Sequence, residues 1–72
     1  MTYKEMIDAE LVKARANFRP INTFHEGIAI IREEYLELEK AIFARERDED
    51  EIRKEAVQTA AMCVRLIEDL LT

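Results

Sequence analysis

The sequence predicts an all-α fold of three helices, and three observations carry that expectation. A chain of 72 residues holds one Gly and one Pro while 49% of its residues are apolar, a composition of helix formers with few breaks. Apolar residues recur at intervals of three and four along most of the chain. A Thr or Asp suited to capping a helix precedes each periodic run. The whole chain, 1–72, is read as a single helical domain, the two longer helices forming a hairpin.

Thr2 and Glu5 have the spacing of a capping box, and Met1 and Met6 that of its hydrophobic staple. Tyr3, Ile7, Leu11, Ala14 and Phe18 follow at helical intervals, which predicts a first helix from about Tyr3 to Asn17. Pro20 disfavours helix at Arg19 and donates no backbone hydrogen bond, so "NFRPIN" breaks the pattern. Thr23 and Glu26 repeat the capping spacing and start a second helix, expected to run to about Arg45. The segment "RERDEDE", from Arg45 to Glu51, has no apolar residue and is read as the connection between the long helices. Asp48 or Asp50 caps a third helix reaching about Leu71, and the acidic residues there suit the positive end of its dipole.

Wound as a helix, Phe24, Ile28, Ile31, Tyr35, Leu38 and Ile42 gather within about ±40° and are read as the core stripe of the second helix. About 100° to one side lies a second stripe of Gly27, Ile30, Glu34, Glu37 and Ala41. Glu33 falls almost opposite the core stripe and is read as solvated. The third helix carries "AVQTAAMCV", apolar around its whole circumference, which requires burial on several sides. One hairpin and one short helix cannot supply that cover. A second subunit is therefore expected, giving a two-fold dimer in which four long helices form the bundle.

On the third helix Glu55, Gln58, Met62, Arg65 and Asp69 form a stripe beside the expected core residues Ile52, Ala56, Thr59, Cys63, Leu66 and Leu70. Cys63 is the only cysteine, so no intramolecular disulfide forms, and its apolar neighbours suggest an inert buried thiol. If the two unusual stripes face each other, Glu34, Glu37, Glu55 and Gln58 converge at one level. Three carboxylates and an amide oxygen make a hard oxygen site suited to Mg²⁺ or Mn²⁺. The residues by themselves leave a second reading open, in which the glutamates of "REEYLELEK" are a solvated helix face.

A formal charge of −5 disfavours binding of a nucleic acid polymer but not of a nucleotide carried by metal ions. No Gly-rich phosphate-binding loop exists in a chain with one Gly. No apolar run approaches the length needed to span a bilayer, and the first ten residues lack a basic, apolar leader. A cytoplasmic protein without membrane contact is the default expectation.

The residues "EEYLE", with Glu33, Glu34 and Glu37, followed on the next helix by "EAVQ", beginning at Glu55, resemble the EExxE and ExxD pattern of the MazG-like all-α nucleoside triphosphate pyrophosphohydrolases. The wider phrases "FHEGIAIIREEYLELEKAI" and "RKEAVQTAAMCVRLIEDL" are similar to a compact, phage-type subset of that family, and together they cover about half the chain. The resemblance implies a homodimer or dimer of dimers, Mg²⁺ held by carboxylates of two adjacent helices, and cleavage of a (deoxy)nucleoside triphosphate to monophosphate and pyrophosphate. Carried over, Glu34, Glu37 and Glu55 are metal ligands and Gln58 stands where the family has aspartate. That departure removes one negative charge and opens the alternative of a non-catalytic helical interaction or nucleotide-binding module. Asp69 is three turns away, about 16 Å, too far to replace the lost carboxylate. Under the enzyme reading Glu33 or Glu34 orients the attacking water, and Arg65, Lys13, Arg15 and Arg19 are candidates for phosphate contacts.

Overall fold

The computed structural model describes residues 1–72 as three helices and no strand: α1 (Tyr3–Asn17), α2 (Phe24–Ile42) and α3 (Glu49–Leu70). The capping chemistry sets each start. Thr2 and Glu5 form a full capping box, the Thr2 N–H donating to Glu5 Oε1 at 3.0 Å and the Glu5 N–H to Thr2 Oγ1 at 3.2 Å. At α2 only half of the box closes: the Glu26 N–H donates to Thr23 Oγ1, while the Glu26 side chain accepts from the Asn22 N–H instead. Asp48, rather than Asp50, caps α3 and accepts from the N–H groups of Asp50 and Glu51. Met1 is 89% exposed, so the staple to Met6 contributes little.

The second helix ends three residues before the expected Arg45. Phe43 is its C-cap, and Arg47 Nε donates to the freed Ile42 carbonyl at 3.0 Å, closing the last turn where the charged run begins. The third helix ends at Leu70, one residue short of expectation.

The hairpin of α2 and α3 is one layer, and α1 packs on α3 alone. Ala14, Ala61 and Met62 form the small buried core, flanked by Ile7, Leu11, Ile30 and Ile31. Ile21, from the α1–α2 connection, is 2% exposed and plugs the end of the hairpin. Gly27 allows this closure: a Cβ there would lie 2.6 Å from Leu66 Cδ1 and 3.4 Å from Ile21 Cγ2. Asp69 fixes the connection, accepting the Ile21 N–H at 2.8 Å on one oxygen and Arg15 at 2.9 Å on the other.

The two stripes of each long helix share the buried face: Ile31 and Leu38 of the expected core stripe of α2 and Ile52, Thr59, Leu66 and Leu70 of that of α3 are half-buried, while the rest departs from expectation. Phe24, Ile28 and Tyr35 are at least half exposed, whereas Gly27 is buried and Ile30, Glu34 and Ala41 are half-buried against α3. On α3, Glu55, Met62 and Arg65 are buried, while Ala56 and Cys63 of the expected core lie exposed. Periodicity finds two adjacent stripes but does not order them, and the more apolar one is left partly outside within this single chain. The accessible surface reflects it. The chain exposes 5569 Å², whereas a folded monomer of 8.5 kDa exposes about 4,650 Å². No helix is long and apolar enough to cross a membrane.

Candidate metal centre

With the polar stripes turned inward, α2 and α3 bring their carboxylates together. One oxygen from each of Glu34, Glu37 and Glu55 lies within 4.8 Å of the other two. Glu55 is only 5% exposed and Glu34 is half-buried, and the Oε2 atoms of both are buried with no hydrogen-bond partner. Buried carboxylates without partners are costly, because burial removes water that nothing replaces. Burial accordingly pushes the Glu34 carboxyl above its ordinary pKa, and the charges of Glu37, Glu10 and Glu33 add to the rise. Glu55 is raised first by burial, then by Glu37 and Glu51.

These groups fit a divalent cation. Opposite ligands of an octahedral Mg²⁺ are about 4.2 Å apart. Only one pair of three ligands can stand opposite, and adjacent pairs sit about 2.9 Å apart, so the 4.8 Å triad would have to contract for its oxygens to share one ion. A cation would supply the missing partner of both orphaned oxygens and offset the mutual repulsion in one step. Gln58, one turn beyond Glu55, lines a groove of ≈ 180 Å³ together with Glu34, Glu10 and Lys13.

A second groove of ≈ 240 Å³ adjoins the first, with Glu34, Phe18 and Met62 common to both. Its walls include Arg19, Ile30, Glu33 and Arg65. Arg65 is 3% exposed and its guanidinium donates to the Arg19 carbonyl at 3.2 Å and to Met62 Sδ at 3.3 Å, leaving Nε without a partner. Glu33, expected to be solvated, is exposed but stands at this groove's edge, because the inward face of α2 is centred nearer to it than the apolar stripe is.

The candidate cations divide. Arg65, Arg19 and Lys13 line the grooves beside the carboxylates. Arg15 does not: it is bound to Glu68 at 2.6 Å and Asp69 at 2.9 Å near the end of α3. Arg19 also lies 3.6 Å from Glu26. Two acidic residues near the centre escape sequence reasoning. Glu51, one turn before Glu55, presses on it from the mouth of the hairpin. Glu10, on α1, lines the groove that Glu34 and Gln58 border. Helical spacing from Ile7 and Ala14 marks Glu10 as inward-facing, a signal available in the sequence.

No family model matches the chain, and the searches of curated proteins and of solved structures find no match either.

Proposed function

We propose that this protein is a divalent-metal-dependent nucleoside triphosphate pyrophosphohydrolase, cleaving a (deoxy)nucleoside triphosphate to the monophosphate and pyrophosphate. The observation that carries the reading is the pair of buried, unpartnered carboxylate oxygens of Glu34 and Glu55, with Glu37 within 4.8 Å, beside a groove holding the buried Arg65. Glu34, Glu37 and Glu55 hold Mg²⁺ or Mn²⁺, with Gln58 as a neutral oxygen donor. When held there, the cation would supply charge neutralisation at phosphate oxygens and a lowered pKa for a water nucleophile. Arg65 offers its free Nε–H to a phosphate oxygen, and Arg19 and Lys13 flank it with positive charge. Glu33, exposed at the groove edge, accepts the proton of the attacking water.

The active species in this proposal is a homodimer, or a dimer of dimers, in which four long helices form one bundle. The exposed stripe of Phe24, Ile28 and Tyr35 supports it. So does the surplus surface, on the order of 900 Å², which is close to the roughly 800 Å² each partner gives to a standard interface.

The test is pyrophosphate release across a nucleotide panel with Mg²⁺ or Mn²⁺, comparing the natural protein with Glu37→Gln. Release that requires both metal and Glu37 supports the reading. Gln58 favours one alternative, a metal- or nucleotide-binding helical module without turnover. Metal binding that requires Glu37, with no pyrophosphate released from any nucleotide, would establish that module and exclude the enzyme.

A further inference from the structure

We infer that the apolar face of the hairpin docks on a second copy of this chain with α2 against the partner's α3, held by an ion pair from Glu39 to Arg53 of the partner subunit. The inference rests on the assembly proposed above and gives it an orientation; it depends neither on metal nor on turnover. The face follows from the winding of the two helices. The stripe from Phe24 to Ile42 on α2 and the stripe from Ile52 to Leu70 on α3 each alternate spacings of four and three, the repeat of helices packed in a bundle. Each stripe is covered on one flank only. Gly27, Glu34 and Ala41 on α2, and Glu55, Met62 and Asp69 on α3, are buried or half-buried on the flanks that meet within the hairpin. The opposite flanks carry Arg32 and Glu39 on α2, and Arg53, Ala60 and Ile67 on α3, and no side chain there bonds to another helix. The first helix leaves this side free. Its contact on α3, Ala61, lies about 140° round the helix from the exposed Ala56, Cys63 and Ile67.

A second copy fits this face by area and by charge. The surplus surface is close to one partner's share of a standard interface. Two two-fold arrangements bring the stripes together, and charge chooses between them. With the axis along the helices, α2 faces the partner's α3 and every residue keeps its level. Gly27 stands level with Leu66 and Glu37 with Glu55, which sets Glu39 level with Arg53 of the partner subunit and Arg32 level with Ala60 of the partner subunit. Symmetry forms the ion pair twice. Both side chains have atoms to spare: the Tyr35 hydroxyl donates to Glu39 Oε2 at 3.0 Å, leaving Oε1, and Arg53 donates to Asp50 through Nη1, leaving Nε and Nη2. With the axis across the helices, α2 faces the partner's α2. That arrangement places His25 by Glu39 of the partner subunit, but sets Arg32 against Arg32 of the partner subunit near the axis and Arg53 against Ile67 of the partner subunit. A like-charge pair and an unpaired cation on an apolar side chain decide against it.

The experiment is sedimentation equilibrium in metal-free buffer on the natural protein, Glu39→Lys, Arg53→Glu, the double variant, and an equimolar mixture of the two single variants, with circular dichroism to follow helicity. The natural protein is expected to be dimeric. Each single variant turns both ion pairs into like-charge pairs and is expected to raise the dimer dissociation constant about tenfold or more. The double variant and the mixture each restore opposite charges at both places and are expected to recover to within about threefold of the natural protein. Rescue in the mixture requires residue 39 of one chain to meet residue 53 of the other, so it also separates lost association from lost folding. If the mixture associates no better than the single variants, or the single variants associate as the natural protein does, the orientation is overturned. A natural protein that stays monomeric overturns the assembly and this inference with it. Pyrophosphate release plays no part in these readings, so failure of the catalytic proposal leaves the interface standing.

Discussion

Glu55 is the residue at which burial is most costly to the fold. Its carboxylate is buried and lacks a partner for one oxygen, an arrangement that costs about 1–3 kcal/mol without a ligand. In metal-free buffer Glu55→Gln is therefore expected to raise the melting temperature by several degrees, at about 4–8 °C per kcal/mol for a domain of this size. If the proposed site holds Mn²⁺, the metal is expected to raise the melting temperature of the natural protein and not that of Glu55→Gln. A lower melting temperature without metal would show that Glu55 already has its partner within the chain. Proton linkage gives a second readout. Glu34 and Glu55 have raised pKa values in the folded state, so folding binds their protons more tightly than the unfolded chain does. Their contribution is fully present below the ordinary carboxylate range and is lost as pH rises through the raised values. Asp69 has the opposite sign. The Ile21 N–H, and then Arg15, hold it below its ordinary value, so its contribution is present above that value and disappears as pH falls through the lowered one. Urea titrations from pH 3 to 8 without metal should show the loss with rising pH reduced in Glu55→Gln. Asp69→Asn, which weakens the tie between α3 and the connection, is expected to cost about 1–2 kcal/mol at pH 7 and progressively less as pH falls through the lowered Asp69 value.

At the scale of elements, Gly27 marks where α2 and the connection close on α3. Gly27→Val forces the Leu66 side chain and the Ile21 plug to move and is expected to cost about 1–3 kcal/mol in urea unfolding. An unchanged midpoint would mean that the hairpin end is loosely packed. The helices themselves were legible because their signals are local: Thr2 with Glu5, Thr23 with Glu26 and Asp48 each satisfy donors within three residues. The end of α2 was less so, since the Arg47 side chain that closes it comes from a charged run with no periodicity. Spacing sets Glu34 and Glu37 on one stripe and Glu55 on another, and they meet only if those stripes face each other. Which stripe faces α3 does not follow from spacing, because a helix of Phe24, Ile28 and Tyr35 beside Gly27, Ile30 and Glu34 offers two faces to bury. A stripe with small residues permits the closer approach within the chain. Arg15 was misplaced for the same kind of reason: its partners, Glu68 and Asp69, are more than fifty residues away in sequence.

At the scale of the whole molecule, a radius of gyration of 12.6 Å exceeds the roughly 11 Å of a compact chain of this length, in keeping with a half-formed bundle. Sedimentation at micromolar concentration is expected to show a dimer or tetramer, and Ile28→Glu with Tyr35→Lys to yield a monomer of lower helicity. A stable helical monomer of the natural protein would sink the proposed assembly. The proposed assembly also predicts a melting temperature that rises with protein concentration. The seating of α1 on α3 alone has one more effect. Both grooves border the C-terminal end of α1, where Lys13, Asn17 and Phe18 stand beside Glu34, and that end is held by Leu11 and Ala14 against the core, by the Arg15 ion pairs and by the bond from Arg65 to the Arg19 carbonyl. The first helix is thus wall and core at once: the residues that border the grooves sit on the same turns as Leu11 and Ala14, so a substitution that loosens α1 disturbs the grooves and the packing of Ala61 and Met62 together.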